Sequence, residues 1–577
     1  MTTTDLIDLS LLDPVLEKYQ GRKRDALLPM LYEVQAIYGW LPREVQEAVG
    51  KTLRAPLADI HGVIEFYTMF YNRPMASHVI RVCEDVACQL ADCEAVHEAV
   101  SQKLGLEDGQ MSDNGRIAYE RVPCLGMCEH APSALNGDRP AGDLTPEAVD
   151  DFLAGNAPEP APKIYGSPRL KLFRVGKIAP DSLQDYLALE GYDGLQNAMQ
   201  FTPEEIINWM DESRILGRGG AMFPLGLKWK FTHSAPGTAA EKHIVANCDE
   251  SEPGTFKDRG LMEEDPYSLI EAMTLAAYVV GAENGWIFIR GEYPRAAKRL
   301  ANAVAKARQA GYLGRDILGR PGFHFDIEIR RGAGAYICGE ETALFEAIEG
   351  KRGFPRIKPP FPTTDGLFNQ PTAINNVETL AAALAVARIG WQEWAKVGTA
   401  DSVGTKWFCL SGHVNLPGLY ELPFGVTVRE LIEMGGGVKD GRNIQAVLIG
   451  GAAGIFLSPD QLDYQLTYES SRNNAFPIGS GVVMVVDGTV DMRHTLYHLA
   501  HFFAHESCGK CFPCQIGSQR QMEILHHIAD NGGSQPGDKA RLLDVGFTMT
   551  ETSLCGLGQT AATAVMSAIN LWPELVE

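Results

Sequence analysis

Cysteine spacing is the clearest chemical signal in the chain. The segment ESCGKCFPCQIGS holds Cys508, Cys511 and Cys514 at C-x-x-C-x-x-C, and Cys555 follows well downstream in SLCGLGQ. Three thiolates in one loop with a distant fourth suit the corners of a cubic iron–sulfur cluster, whereas zinc more often takes separated C-x2-C pairs. The pattern therefore predicts a [4Fe–4S] cluster, with a zinc site as the alternative.

A second group of four cysteines lies nearer the start of the chain. Cys83 and Cys88 form C-x4-C, and Cys124 and Cys128 form C-x3-C. Four thiolates can hold either a [2Fe–2S] cluster or a zinc ion. A disulfide framework is not expected in a long chain without a recognisable secretory leader. The cysteines left without a predicted cluster are Cys93, Cys248, Cys338 and Cys409.

The stretch at 332–362, GAGAYICGEETALFEAIEGKRGFPRIKPPFP, combines glycines with paired carboxylates. Glycine lets the backbone approach a large ligand closely, because it has no Cβ. The segment ETALFEAIEG has its apolar residues on one helical face, and Gly350 would end that helix. Free backbone N–H groups ahead of a helix suit a phosphate. The stretch thus predicts a phosphate site, with an ordinary tight loop as the alternative.

Three further stretches carry glycine, amide and carboxylate residues. They are SRILGRGGAMFPLGLKW at 213–229, NCDESEPGTFKDR at 247–259 and PTAINNVETL at 371–380. The second follows a strand-like HIVA, and polar residues at the carboxyl end of a strand mark the usual ligand position in an open α/β sheet.

These four stretches, in this order, resemble the flavin and NADH site of the flavoprotein subunit of respiratory complex I. The diaphorase subunits of NAD-linked formate dehydrogenases and NAD-reducing hydrogenases are relatives of that subunit. The resemblance implies FMN and NAD(H) as cofactors. The residues it implies for binding them are Gly217, Arg218, Gly219, Gly220, Phe223, Lys228, Asn247, Asp249, Glu250, Glu252, Tyr336, Gly339, Glu340, Glu341, Lys358, Phe361, Asn375 and Asn376.

The resemblance also implies a role for each group of residues. The loop at 217–220 with Lys228 would hold the FMN phosphate and ring edge, and the amides with Asp249 would hydrogen-bond the flavin. Phe223 and Phe361 would stack on nicotinamide or adenine, and Glu252 would hold the nicotinamide amide or a ribose. A carboxylate beside the adenosine ribose accepts from its 2′-hydroxyl and repels a 2′-phosphate, which predicts NADH over NADPH.

One loop departs from the family pattern. The family usually reads GGAGFPTG, whereas this chain reads GGAMFPLG, with Met222 and Leu225 in place of glycine and threonine. The change removes backbone room and one hydroxyl, so weaker flavin binding or a shifted flavin potential is expected.

The cluster regions resemble the same family. The segment CLGMCEHAP and its partner pair at Cys83 and Cys88 resemble the thioredoxin-like [2Fe–2S] ferredoxin of the small complex I subunit. This resemblance favours [2Fe–2S] over zinc at that site, and Cys93 is taken as structural.

The predicted fold is multidomain, α/β plus α. At 577 residues the chain is too long for one core. The expected units are an N-terminal helical bundle at 1–75, a thioredoxin-like [2Fe–2S] domain at 76–154, a Pro/Ala linker at 155–162, a Rossmann-like FMN/NADH domain at 163–400, a ubiquitin-like (SLBB-type) β-grasp domain at 406–488 and a helical [4Fe–4S] domain at 489–577. The linker is expected to be an extended spacer, and the ubiquitin-like unit a spacer without chemistry.

Composition limits the partners. The formal charge of −22 argues against nucleic acid and against an anionic membrane surface. No run approaches the roughly 18 apolar residues of a spanning helix. The opening MTTTDLIDLSLL is short and acidic, so no signal peptide is expected. A cytoplasmic protein is therefore predicted.

The resemblance implies a diaphorase subunit. It would exchange hydride between NAD(H) and FMN and pass single electrons through the clusters to or from a partner, without a catalytic side chain. The fusion of both units in one chain most resembles the β subunit of NAD-dependent formate dehydrogenase. The expected partner is then a large catalytic subunit with a molybdenum or tungsten pterin and further iron–sulfur clusters, in a hetero-oligomer. The alternatives are the diaphorase subunit of an NAD-reducing [NiFe] hydrogenase, a flavin-less electron-transfer scaffold and a zinc-held interaction module.

Overall fold

The computed structural model describes residues 7–474, 476–531 and 533–576. Residues 1–6, on which part of the expectation about a signal peptide rests, lie outside this range. Among the helices of the described residues, none combines the length and apolar character needed to cross a membrane.

The chain begins with four helices whose apolar residues recur at helical spacing. They are α1 (Asp13–Tyr19), α2 (Leu27–Tyr38), α3 (Arg43–Leu53) and α4 (Leu57–Ile64). Gly39 adopts a left-handed φ of 78° and ends α2, and Pro42 precedes α3. These helices fasten to the stretch at 332–362, because Tyr32 Oη donates to Gly332 O at 2.5 Å and Arg24 Nε to Gly350 O at 3.0 Å. The bundle therefore braces the flavin domain.

A small mixed sheet follows. Its elements are β1 (His78–Cys83), α5 (Val86–Gln89), α6 (Cys93–Leu104), β2 (Ile117–Val122), β3 (Ala134–Asn136), β4 (Arg139–Ala141) and α7 (Val149–Leu153). The strand order is β2–β1–β3–β4, with β1 parallel to β2 and antiparallel to β3. Strand β1 has the sequence HVIRVC and ends at Cys83.

The segment expected to be an extended spacer is fastened along its length. His130 Nε2 lies 2.8 Å from Ala161 O, and Arg295 donates to Pro160 O at 2.6 Å. The next residues form β5 (Ile164–Tyr165), which pairs with Leu419 and Tyr420 far along the chain. The spacer expectation is corrected, because tertiary hydrogen bonds hold this Pro/Ala segment against two domains.

The flavin domain is a parallel sheet wrapped by helices. Its strands are β6 (His243–Cys248), β7 (Asn284–Ile289), β8 (Asp326–Arg331) and β9 (Thr372–Asn376). Its helices are α8 (Leu183–Ala188), α9 (Asp193–Ala198), α10 (Pro203–Glu212), α11 (Leu225–Ser234), α12 (Lys257–Glu264), α13 (Pro266–Val280), α14 (Pro294–Gln309), α15 (Glu341–Ile348), α16 (Val377–Ile389) and α17 (Trp391–Trp394). The strand order is β8–β7–β6–β9, and all neighbouring strands are parallel. The chain adds β7 and β8 on one side of β6 and then β9 on the other side, so the strand order reverses between β6 and β9.

A six-stranded sheet forms the next unit. It contains β10 (Thr405–Gly412), β11 (Gly418–Pro423), α18 (Val428–Met434), β12 (Ile444–Ile449), β13 (Ile455–Leu457), α19 (Tyr468–Asn474) and β14 (Val482–Asp487). The order is β13–β12–β14–β10–β11–β5, so the sheet includes the short strand at the start of the segment expected to form the FMN/NADH domain.

Buried charge joins this sheet to the flavin domain. The carboxylate of Glu378 accepts from Lys171 Nζ at 2.7 Å and from Lys406 Nζ at 2.6 Å, and Lys257 Nζ lies 3.5 Å away. Burial alone would raise the pKa of Glu378, but the three ammonium groups lower it. Removing one partner of such a buried network leaves an uncompensated charge, so the network holds the two units in one arrangement.

The last unit is helical. It contains α20 (Met492–Glu506), α21 (Phe512–Asn531), α22 (Asp538–Thr552), α23 (Gly556–Thr560) and α24 (Thr563–Leu571). The sequence predicts one helix over GQTAATAVMSAINLW, but a turn at Ala561 and Ala562 divides it into α23 and α24.

Candidate functional site

A cleft lies at the carboxyl ends of β6 and β9. Asn247 at the end of β6 is the register partner of Asn376 at the end of β9. Ligands of open α/β sheets bind where the strand order reverses, and this is that point. Two cavities of about 580 Å³ and 350 Å³ meet there, sharing Gly219, Asn247, Gly339 and Asn376 in their walls.

Most of the residues predicted to bind FMN or NADH line this cleft. The larger cavity is lined by Gly217, Gly219, Phe223, Lys228, Asn247, Gly339, Glu340, Glu341, Lys358, Phe361, Asn375 and Asn376. The smaller cavity adds Asp249, Glu250, Glu252 and Tyr336. Gly220 does not line either cavity, and its φ of 109° belongs to the turn of the loop. Four stretches spread over residues 213–380 thus meet at one place.

Arg218 is turned away from the cleft. Its side chain is fully buried, lies over the Phe424 ring at 4.6 Å and donates to Val403 O at 3.1 Å. Its backbone N–H donates to Thr379 Oγ1 at 2.9 Å. The Arg218 guanidinium therefore does not reach the cleft, because it packs between the loop and the six-stranded sheet.

Hydrogen bonds fix the polar walls. Asn247 Nδ2 donates to Gly339 O at 2.8 Å, Lys228 Nζ to Ile374 O at 2.8 Å, and Trp229 Nε1 to Asn375 Oδ1 at 3.1 Å. The buried Oδ2 of Asp249 has no hydrogen-bond partner within the part of the chain that the structure describes. A cleft with preset amides and a spare carboxylate oxygen fits a polar, hydrogen-bonding cofactor such as a flavin.

The chain itself occupies two of the N–H groups at the start of α15. The Glu340 carboxylate accepts from the backbone N–H groups of Thr342 at 2.8 Å and Ala343 at 3.0 Å. This carboxylate cap leaves fewer N–H groups for a phosphate at the helix start than the sequence pattern led us to expect.

The mouth of the cleft combines charge with exposed aromatic rings. Lys358 Nζ bridges Glu340 at 3.1 Å and Glu341 at 2.9 Å; burial lowers the pKa of Lys358, but the two carboxylates more than offset this and raise it. Phe223 and Phe361 are exposed there, as is Phe231, which the sequence reasoning missed. Phe231 lies three residues after Lys228 on α11, so helical periodicity could have found it.

Lys257 and Asp258, which the sequence reasoning also missed, form hydrogen bonds with the Asn376 side chain. Its Nδ2 donates to Asp258 Oδ2 at 2.7 Å, and its Oδ1 accepts from Lys257 Nζ at 3.2 Å. Both residues belong to the quoted segment NCDESEPGTFKDR and line the smaller cavity. Lys257 ties this wall to the buried network around Glu378.

The far wall of the cleft is built by three domains. Tyr336 Oη donates to Glu252, whose other oxygen accepts from Ala453 N of the six-stranded unit at 2.8 Å. Burial raises the pKa of Glu252 to about 7. Thr255 Oγ1 lies 2.7 Å from Ser480 Oγ. The expectation that the ubiquitin-like unit is only a spacer is corrected, because its loops complete the cleft wall.

The cysteines at the C-x-x-C-x-x-C loop lie beside this wall. Cys508, Cys511, Cys514 and Cys555 line one small cavity together, which fits the four corners of a [4Fe–4S] cluster. Ile337 and Leu557 line both this cavity and the cleft, so the two adjoin at these apolar side chains.

The other four cysteines are enclosed. Cys124 Sγ lies 3.4 Å from Cys128 Sγ, and all four side chains of this set are at most 5% exposed. The flavin domain holds the loop between them: Arg290 donates to Cys124 O at 2.6 Å and to Glu250 O at 2.7 Å, and Arg259 Nε donates to Gly126 O at 2.9 Å. A Cβ at Gly126 would lie 2.1 Å from Tyr293 Oη, so glycine is required for this contact.

The two residues that depart from the family loop lie outside the cleft. Leu225 is buried in the main core, and Met222 packs against the apolar cluster of the six-stranded unit. Met222 has a φ of 52°, so it adopts a left-handed conformation that glycine adopts more easily. Neither residue lines either cavity of the cleft.

Family models match along most of the chain. They are the Nuo51 FMN-binding domain at 210–385, the thioredoxin-like [2Fe-2S] ferredoxin at 12–157, the NADH-ubiquinone oxidoreductase-F iron-sulfur binding region at 494–577 and the SLBB domain at 408–452. The cofactors are therefore FMN, NAD(H), one [2Fe–2S] and one [4Fe–4S] cluster, as predicted, and the zinc and flavin-less alternatives are set aside. Fold and site together define an NAD-linked flavin and iron–sulfur oxidoreductase subunit.

The similar proteins include subunits of two kinds of complex. An NADH-quinone oxidoreductase subunit of Aquifex aeolicus is 42% identical over 416 residues, covering 72% of this chain and 95% of that protein. The NAD-reducing hydrogenase HoxS subunit alpha of Cupriavidus necator is 33% identical over 575 residues, covering 98% and 93%. A crystal structure of an NAD+-reducing [NiFe]-hydrogenase matches with a TM-score of 0.83 at 31% identity, covering 96% and 93%. The chain belongs to the family of FMN-binding subunits of NADH-quinone oxidoreductases and NAD-reducing hydrogenases.

Proposed function

We propose that this chain is the diaphorase subunit of a hetero-oligomeric NAD-linked oxidoreductase, and that the cleft residues predicted above, Arg218 aside, hold FMN and NADH. The observation that carries the proposal is the position of the cleft. It touches the [4Fe–4S] cavity through Ile337 and Leu557, and Glu250 in its wall is bonded to the arginine that holds Cys124.

Each group of residues has a defined part in this proposal. The amides of Asn247, Asn375 and Asn376 are held by neighbours and present fixed hydrogen-bonding groups to the flavin. Exposed rings at the mouth offer stacking surfaces to the dinucleotide, and Lys358 places a positive charge beside its phosphates. Bound flavin exchanges hydride with NAD(H) and passes electrons on singly, which is the chemistry of the cofactor itself.

NADH is the proposed dinucleotide in preference to NADPH. Glu340 and Glu341 place two negative charges at the mouth, and both are paired with Lys358. A 2′-phosphate would meet those charges, whereas a 2′-hydroxyl can donate to a carboxylate. Replacing Glu341 with Gln should narrow the ratio of kcat/KM for NADH to that for NADPH, and an unchanged ratio would contradict this role.

The proposed partner is a large formate dehydrogenase subunit with a molybdenum or tungsten pterin and its own iron–sulfur clusters. This proposal rests on the sequence resemblance and on the fusion of ferredoxin and flavin units in one chain. The second candidate is a [NiFe] hydrogenase, favoured by similarity to the HoxS subunit alpha over 98% of the chain. A cytoplasmic location is proposed with either partner.

An anaerobic NADH titration of the complex isolated through a tag on this chain tests the proposal. Optical bleaching of the flavin and two distinct reduced-cluster EPR signals are expected. Failure of NADH to reduce either would overturn the diaphorase assignment. Metal analysis, with NAD+ reduction driven by formate or by hydrogen, then separates the partners. Molybdenum or tungsten with formate activity supports the first partner, and nickel with hydrogen activity supports the second.

A further inference from the structure

The surface beside the [4Fe–4S] cavity is basic, in contrast to the acidic chain as a whole. A crevice of about 550 Å³ lies between α4, residues 351–357 and the cysteine loop. Its walls carry five basic side chains against two acidic ones, although the chain as a whole has a formal charge of −22. Pro355 and Lys510 line both this crevice and the cluster cavity, so the two adjoin.

Two of these cations have no carboxylate partner. Arg24, Lys351 and Arg356 are paired with Asp59, Glu346 or Glu349. Arg352 and Lys510 are exposed, and each lies over the Phe354 ring, at 4.8 Å and 5.3 Å. Neither forms a salt bridge within residues 7–474, 476–531 and 533–576. A cation held over a ring stays partly desolvated and keeps its charge available to an approaching anion.

Apolar side chains are exposed at the same place. Phe512 follows the cluster ligand Cys511 directly and is 79% exposed, and Ile357 in the crevice wall is 73% exposed. Ile516, one turn after Phe512 on α21, is also exposed. Large exposed apolar groups beside unpaired charges are typical of a protein interface with an apolar centre and a polar rim.

We propose that Arg352, Lys510, Phe512, Ile516 and Ile357 form the docking face for the electron-transfer partner. This inference rests on the proposed function, because it assumes that electrons enter or leave through the [4Fe–4S] cluster. Charge complementarity defines the partner: an iron–sulfur protein whose own cluster lies near a surface with Asp and Glu side chains around an apolar centre. The excess of basic groups steers that protein to the cluster, while the rest of the acidic surface repels it.

Charge reversal tests the basic rim in the complex isolated through a tag on this chain. Arg352→Glu should raise the apparent Kd for the partner about tenfold, because a rim cation becomes a repelling anion. Arg352→Lys should retain affinity. Lys298→Glu makes the same charge change on α14, outside the crevice, and should leave the Kd unchanged. Equal effects of Arg352→Glu and Lys298→Glu, or no effect of either, would overturn the proposal.

Cross-linking tests the apolar centre and does not depend on any variant losing affinity. A photo-reactive benzoylphenylalanine in place of Phe512 should attach an iron–sulfur subunit through a segment rich in Asp and Glu. The same group in place of Leu416, exposed in the six-stranded unit, serves as the matched control. Equal yields at both positions, or attachment to a segment without carboxylates, would overturn the docking face. Flavin bleaching by NADH, measured in every sample, reports separately on the proposed function.

Discussion

The two cluster sites differ in how the rest of the chain surrounds them. Cys83, Cys88, Cys124 and Cys128 are buried, and two arginines of the flavin domain hold their loop. Of the other set, only Cys514 is buried, and the loop that carries it stands next to Phe512, whose ring is largely exposed. Electron transfer slows with distance, so the enclosed cluster is suited to exchange within the chain and the cluster nearer the surface to exchange with a partner. The comparison thus separates an internal cluster from an exit cluster.

The largest expected effect comes from removing one of the arginines that enclose the first cluster. Arg259 is buried and bonded to the buried Glu129 and to Glu263. Arg259→Ala leaves Glu129 buried without a cation, which should cost about 3–5 kcal/mol. The urea midpoint of the [2Fe–2S] visible circular dichroism reports this loss, while the [4Fe–4S] EPR signal should persist.

Arg429→Ala is the matched control. Its ion pair with Asp463 is exposed, so its removal should change stability by less than about 1 kcal/mol. Similar losses of stability in Arg259→Ala and Arg429→Ala would show that enclosure of the arginine does not decide the effect.

The second prediction concerns how the stability of the chain depends on pH through Glu252, which lies in the cleft wall. Burial raises the pKa of Glu252 to about 7, above the unfolded value of about 4.3. Between these values the folded chain keeps a proton that the unfolded chain has lost. The contribution of Glu252 to the free energy of unfolding therefore falls by about 1.4 kcal/mol for each pH unit between these two pKa values, and it is lost above pH 7. Urea titrations at pH 5.5 and 8 should show this loss in the wild type and not in Glu252→Gln.

The third prediction compares the two clusters in one sample. Iron loss to a chelator under mild oxidation should be at least about tenfold faster from the [4Fe–4S] than from the [2Fe–2S] cluster, because the enclosed site must open first. Time-resolved EPR of the reduced samples measures both rates. Arg259→Ala should narrow the difference, and equal rates in the wild type would show that enclosure is unimportant.

The smallest effect is expected at Met222. Met222→Gly removes the strain of a left-handed backbone conformation, but it also removes apolar packing and increases the conformational entropy of the unfolded chain. Because these effects oppose each other, the free energy of unfolding should change by less than about 1 kcal/mol. Flavin content per chain should stay the same, since the residue lies outside the cleft. A rise in flavin content would show that the departure from the family loop does weaken binding.

Several helices and strands could be predicted from local sequence patterns. Helices α2, α3 and α15 and strands β1 and β6 follow from apolar periodicity and from glycine and proline at their ends. The break between α23 and α24 was not predicted, because alanine-rich segments carry the same periodicity whether or not a turn interrupts them. Phe231 was missed because its residue type alone does not indicate a ligand site, although its spacing of three residues from Lys228 on α11 places it on the same helix face.

What the sequence determined by itself was the chemistry: which cysteines form each set, which cofactors they and the glycine-rich stretches suit, and which family the four ordered motifs resemble. Three cysteines within one short loop come together under any packing, so their spacing is sufficient. Only the tertiary structure decided that Arg218 turns from the cleft, that Glu340 occupies its own helix start, and that one cluster is enclosed while the other lies near the surface. Those outcomes depend on which distant segments satisfy a buried charge or N–H group, and spacing along the chain does not encode that choice.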